Sequence, residues 1–279
     1  MRIGLVVPQN ELGVDPGALR ELAQGAEHAG FAHLLVFDHV VGRTDDPDDY
    51  AGRPWREPLL VLAYLAALTT RIELATGIVI APQRQTALLA KQVAELELLS
   101  AGRLRLGLGV GWNPQEYQAL GHDFHGRGKR LDAQLPLLRA LWEQPAVEAE
   151  LGTERFERVG LSPLPPRRIP LWFGGKGPAA IRRAVTHGDG VMLTVPTSAE
   201  YPRVRAELDA AAAAAARPAG ELGVEVWINA CDTPAGQWGE VIEGFRALGA
   251  SHLSVMLTGA TPSTPAELLA RAEAVAAVL

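Results

Sequence analysis

The stretch Leu104-Arg-Leu-Gly-Leu-Gly109-Val-Gly-Trp-Asn113-Pro-Gln-Glu116 decides the fold. Its first six residues are a short, largely apolar run that suits a buried strand. Its last four open a helix, with Asn113 as N-cap, Pro114 at the first helical position and Glu116 three residues after the cap. The same strand, loop and helix unit recurs along the chain. Comparable runs stand at Ile3–Pro8, His33–Phe37, Ile72–Val79, Ile169–Phe173, Gly190–Thr194, Gly223–Asn229 and His252–Leu257. The segments between them read as amphipathic helices, with Leu89, Val93, Leu96 and Ser100 on one face of an example. Asp15-Pro16, Thr233-Pro234 and Thr264-Pro265 announce further helix starts, and Glu267 completes a capping box in the last. Gly177-Pro178 opens another without a capping side chain. Gly30, Gly102, Gly188 and Gly249 suit the left-handed position that closes a helix.

Strands alternating with helices in this way predict the α/β class. With eight units, a closed (β/α)8 TIM barrel with loop insertions is preferred over an open doubly wound sheet, which obeys the same crossover rule. No linker divides two zones of composition, so residues 1–279 are expected to form one domain. Two long departures interrupt the pattern. Asp38–Glu57 is rich in Asp, Arg and Pro and reads as a loop or lid. Gln144–Arg168 is an insertion in which Pro163, Pro165 and Pro166 exclude regular helix. The alanine run Ala210–Ala216 reads as a surface helix.

A net charge of −6 removes the electrostatic drive of a nucleic-acid binder. A lone cysteine, Cys231, cannot form an internal bridge or a cysteine-rich metal site, and reads as buried filler in an apolar strand. The chain passes from Met1-Arg2 directly into apolar sequence and holds no run long enough to span a bilayer. A cytoplasmic protein with no membrane partner is expected.

In a barrel, reactive groups come from the C-terminal strand ends and the loops beyond them. That rule selects Asp38-His39, Gly77-Ile78, Gly107–Asn113 and Gly174–Gly177. Gly174-Gly-Lys-Gly177, followed by a helix, reads equally as an anion cradle or as a tight turn that needs glycine. Gly107–Gly111 lacks the third glycine of a dinucleotide fingerprint. It fits close approach by a planar ligand walled by Trp112, although a core role for Trp112 fits as well. Asp38-His39 is an ionisable pair able to exchange a proton near neutral pH. His122-Asp-Phe-His125 lacks metal-ligand spacing, so no metal is expected.

These pieces together resemble the bacterial luciferase-like superfamily of flavin and deazaflavin (coenzyme F420) oxidoreductases. The resemblance rests on Phe37-Asp-His-Val40, Ala75–Pro82, Leu89–Gln92, Ser100–Asn113, Arg127–Asp132, Ile169–Gly175 and Gly188-Asp-Gly190 in that order. It implies a (β/α)8 barrel with Asp38 and His39 beside a redox ring. It also implies a cis peptide bond at Gly77-Ile78 backing that ring, and a cofactor phosphate held by Gly174, Gly175, Lys176 and Gly177. Val110, Gly111 and Trp112 would line the cavity. The pattern leans to F420 with an organic small-molecule substrate, His39 exchanging the proton and Asp38 orienting it or bonding the ring. Tyr50 and Trp55 would belong to a lid. An acid expected near Trp112 in sugar-phosphate-oxidising members is missing, which argues against that activity. An FMN-dependent monooxygenase and a non-catalytic flavin-binding protein are the alternatives, and family habit suggests a homodimer.

Overall fold

The computed structural model describes all residues except 46–52, 54, 195–199, 219, 260–263 and 279. The first half of the chain runs β1 (Arg2–Val6), α1 (Pro16–His28), β2 (His33–Val36), α2 (Pro58–Leu68), β3 (Glu73–Thr76), β4 (Val79–Ile80), α3 (Thr86–Leu99), β5 (Leu104–Gly109), α4 (Pro114–Ala119) and α5 (Arg127–Glu143). The second half runs β6 (Val147–Leu151), β7 (Glu154–Val159), β8 (Leu171–Gly174), α6 (Pro178–His187), β9 (Gly190–Leu193), α7 (Tyr201–Ala214), β10 (Gly223–Asn229), α8 (Trp238–Ala247), β11 (His252–Met256) and α9 (Pro265–Ala276). All barrel pairings are parallel, and the additional β3–β5 pairing closes the sheet. The (β/α)8 TIM barrel expected from the sequence is therefore the fold.

Several local expectations are corrected. The third barrel strand is not continuous over Ile72–Val79. It breaks at the cis Gly77-Ile78 peptide bond into β3 and β4, both of which pair with β5. The insertion before the fifth barrel strand contains the antiparallel hairpin β6–β7. Gly188 closes α6 in an extended conformation with φ −113°, whereas Gly30, Gly102 and Gly249 have positive φ. Thr233 does not cap α8, because a single 3-10 turn over Ala235–Gln237 intervenes. Cys231 lies past the end of β10 and is half-buried, with its thiol donating to the Leu257 carbonyl at 3.3 Å. The caps at Asp15, Asn113 and Thr264 form as read, and Glu267 completes the box at Thr264.

The barrel interior is layered along its axis. At the N-terminal strand ends His33, Glu73, Arg105 and Glu225 form a buried ionic network, with Ser254 also bonded to Glu225. Above it lies an apolar belt of Val6, Leu35, Ala75, Trp172, Met192 and Trp227, separate from the main core between sheet and helices. Phe37, Ile78 and Met256 pack on that belt and face the C-terminal mouth. Among the described residues no helix is long and apolar enough to cross a membrane.

Candidate active site

A cavity of about 840 Å³ opens at the C-terminal strand ends, within the usual range for small-molecule and cofactor sites. Its floor is the cis Gly77-Ile78 unit. Ile78 sits between two glycines: an added Cβ would come within 2.6 Å of its side chain at Gly109 and 2.9 Å at Gly174. Residues without side chains on the adjacent strand β5 and on β8 beyond it thus leave a flat, apolar bed around Ile78.

His39 follows β2 and is half-buried, with Trp55 at 4.8 Å and Trp112 at 6.4 Å between ring centroids. Trp112 is 59% exposed and stands at the mouth, so it is not a core aromatic. Val110 and Gly111 line the cavity, and Gly111 adopts φ +64°. Asp38 is buried, and its carboxylate accepts from both terminal nitrogens of Arg84, at 2.6 and 3.0 Å, and from Ile80 N–H at 2.8 Å. Burial pushes the Asp38 carboxyl up, and the Arg84 guanidinium pulls against it. Asp38 therefore ties β2 to β4 just beyond the cis bond.

The carboxylate at the His39 ring belongs to Glu116. This residue is fully buried on α4, and its Oε1 accepts from Val40 N–H at 2.8 Å and lies 3.3 Å from His39 Nδ1. Its other oxygen accepts from Gln83 at 3.2 Å. Burial raises the Glu116 carboxyl, but the bonds from His39, Val40 and Gln83 outweigh it and hold it below its usual range. The spacing of Glu116 three residues after the cap does not make a capping box: Asn113 caps α4 by accepting from Gln115 N–H, and the Glu116 side chain turns inward.

Gly174 and Gly175 belong to the cavity wall, whereas Lys176 and Gly177 lie just outside it. Gly177 is the N-cap of α6, and Lys176 pairs with Glu200 at 2.7 Å. Of the expected lid, Trp55 lines the cavity and Tyr50 falls outside the described residues. Among the described residues, no group of three or more His, Cys, Asp or Glu side chains is placed to hold a metal ion.

The sequence reading missed Asn10, Glu11, Arg53 and Trp227. All four line the cavity. Asn10 Oδ1, Glu11 Oε2 and the Trp227 indole N–H are buried without a hydrogen-bond partner among the described residues. Burial pushes the Glu11 carboxyl up, with nearby Arg53 opposing it. Asn10 and Glu11 follow β1, so the strand-end rule itself could have found them had the first loop been included. Trp227 shares the inward face of β10 with Glu225, at alternate strand positions.

A flat apolar floor flanked by unpartnered polar atoms suits a planar ring carrying donors and acceptors on its edge. The sequence profile of the luciferase-like monooxygenases matches residues 1–275. An FMNH(2)-dependent dimethylsulfone monooxygenase of Pseudomonas fluorescens is 30% identical over 235 residues, 82% of this chain and 62% of its own length. An F420-dependent glucose-6-phosphate dehydrogenase of Mycobacterium avium is 30% identical over 191 residues, 64% of this chain and 53% of its own. The chain spans between about half and two thirds of the length of the curated relatives it matches. A solved monooxygenase from Streptomyces bottropensis shares the fold with a TM-score of 0.86 at 21% identity, over 100% of this chain and 98% of the other.

Proposed function

The chain belongs to the luciferase-like monooxygenase family, and from that premise we propose that it is an oxidoreductase using F420 to exchange a hydride with a small organic substrate. When bound, the cofactor supplies or receives the hydride. The observation that carries this reading is the bed formed by Ile78 between Gly109 and Gly174, with His39 at its edge.

Ile78 would support one face of the ring, leaving the other for substrate. Asn10, Glu11 and Trp227 offer partners to polar groups of the ring or the substrate. The first turn of α6, with Lys176 beside it, would hold the phosphate, since a helix N-terminus presents unsatisfied N–H donors. His39 would give or take the proton that accompanies hydride transfer at the substrate. Trp55 and Trp112 would keep water from the reacting face.

Titration with F420 and with FMN, following fluorescence and oxygen uptake, tests the assignment. Saturable F420 binding and turnover without oxygen uptake are expected. Binding of FMN alone, with oxygen consumed once it is reduced, would replace this reading with the FMN-dependent monooxygenase that the Pseudomonas relative favours. Tight binding without turnover would point to a flavin-binding protein. Lys176→Ala should weaken cofactor binding about fivefold, on the order of 1 kcal/mol, as read by the same titration.

A further inference from the structure

We propose that Glu116 is a positioning residue that fixes the neutral tautomer of His39, and so decides which ring nitrogen meets the substrate. The inference rests on His39 acting as the proton-exchanging group.

Neutral imidazole carries one N–H and one lone pair, and the partner of one nitrogen sets the role of the other. Glu116 Oε1 lies 3.3 Å from His39 Nδ1. An ionised carboxylate can only accept, so Nδ1 carries the proton and Nε2 becomes the acceptor. The geometry favours the ionised form of Glu116: each oxygen receives a donor, Val40 N–H on one and the Gln83 amide on the other, and against burial these bonds hold the carboxyl below its usual range. The Val40 bond also fixes the backbone directly after His39, so one carboxylate sets both the tautomer of the ring and the direction in which its main chain leaves. The 3.3 Å separation is long for such a bond, as is common for a site that tightens when ligand enters.

A carboxylate fully buried on a short helix needs such compensation. The helix itself does not use it, since Asn113 provides the cap. Among the described residues, the bonds of the carboxylate run instead to Gln83 and to the chain at residues 39–40.

Two variants separate charge from geometry. In Glu116→Gln, the Val40 N–H keeps an oxygen at the Oε1 position, which still accepts from Nδ1–H. The new amide N–H₂ replaces the acceptor facing Gln83. Gln83 can turn its own amide to meet it, because Gln83 Oε1 has no partner among the described residues. Glu116→Ala removes the acceptor altogether.

Histidine side-chain nitrogen NMR reads the tautomer without substrate or cofactor. In the unmodified protein at a pH where His39 is neutral, Nδ1 is expected to be protonated and Nε2 to give the lone-pair signal. Glu116→Gln should retain that pattern, and Glu116→Ala should lose it to a mixture. A His39 protonated at Nε2 in the unmodified protein would overturn the proposal even if neither variant folds, as would an unchanged tautomer in folded Glu116→Ala. Turnover supplies the second arm. Glu116→Ala should lower kcat by about 10²- to 10⁴-fold with KM little changed, and Glu116→Gln should stay within about tenfold of the unmodified enzyme. Failure of F420 turnover in every form would remove the functional reading but leave the NMR result standing on its own.

Discussion

The glycines of Gly107–Gly111 do three different things, and their substitutions should separate cleanly. A Cβ at Gly107 would stand 2.0 Å from the Thr76 carbonyl oxygen, a backbone atom that cannot move aside. Gly107→Ala should therefore cost about 3 kcal/mol or more, read as a lowered denaturation midpoint. At Gly109 the same atom meets Ile78 Cδ1 at 2.6 Å, the tip of a side chain that faces the cavity. Gly109→Ala should leave the fold intact and weaken cofactor binding instead, because Ile78 is pushed up into the bed. A binding titration showing unchanged affinity would contradict that. Gly111 is needed for its φ of +64°. The sequence showed the run as a place of close approach and gave the right neighbourhood. It could not show that all three approaches are made by the protein's own atoms, because Thr76, Ile78 and Ile80 come from the distant segment that forms β3, the cis bond and β4.

At the scale of elements, Arg84 binds Asp38, which begins the loop after β2, and Glu57, which caps α2 where that loop ends. One side chain thus fixes both feet of an insertion. Arg84→Met would leave the Asp38 carboxylate buried and unpaired, a defect of about 3–5 kcal/mol. Chemical denaturation is expected to show it, and Asp38→Asn in the same background should recover part of the loss. Local rules made most elements legible: apolar runs placed the barrel strands, and Asp15, Asn113 and Thr264 marked their helices. They failed where a distant partner competed. Glu116 satisfies the capping-box spacing, yet its carboxylate goes to residues 39, 40 and 83. The hairpin β6–β7 escaped notice because Glu148, Glu150, Glu154, Arg155, Glu157 and Arg158 break up any apolar run and its strands are only partly buried. Its Glu154 nonetheless joins the barrel, accepting from Thr86 N–H and pairing with Arg130.

Across the whole molecule, the two ends of the barrel answer to different conditions. His252, beside Trp172 at the ionic end, is pushed down to about 3 by burial, with Arg105 and His33 adding to the effect. Its ordinary value is 6.5, so below that pH the unfolded chain binds the extra proton and folding stability falls as pH drops. Glu225 is held well below its usual 4.5, where Arg105 and His33 outweigh the cost of burial. Its contribution is present above that value and is lost on further acidification. The denaturation midpoint should therefore decline from about pH 6.5 downward and more steeply below about 4.5, and His252→Gln should flatten the upper part. Between these charges and the mouth lies the belt of Leu35, Ala75, Trp172 and Met192. It fills the barrel between them with side chains that carry no charge and do not line the cavity. Loops at the mouth can therefore diversify toward new substrates without renegotiating the stability of the barrel. A library confined to residues 10, 11, 53, 55 and 112 should keep the melting temperature of its parent while its ligand preferences scatter.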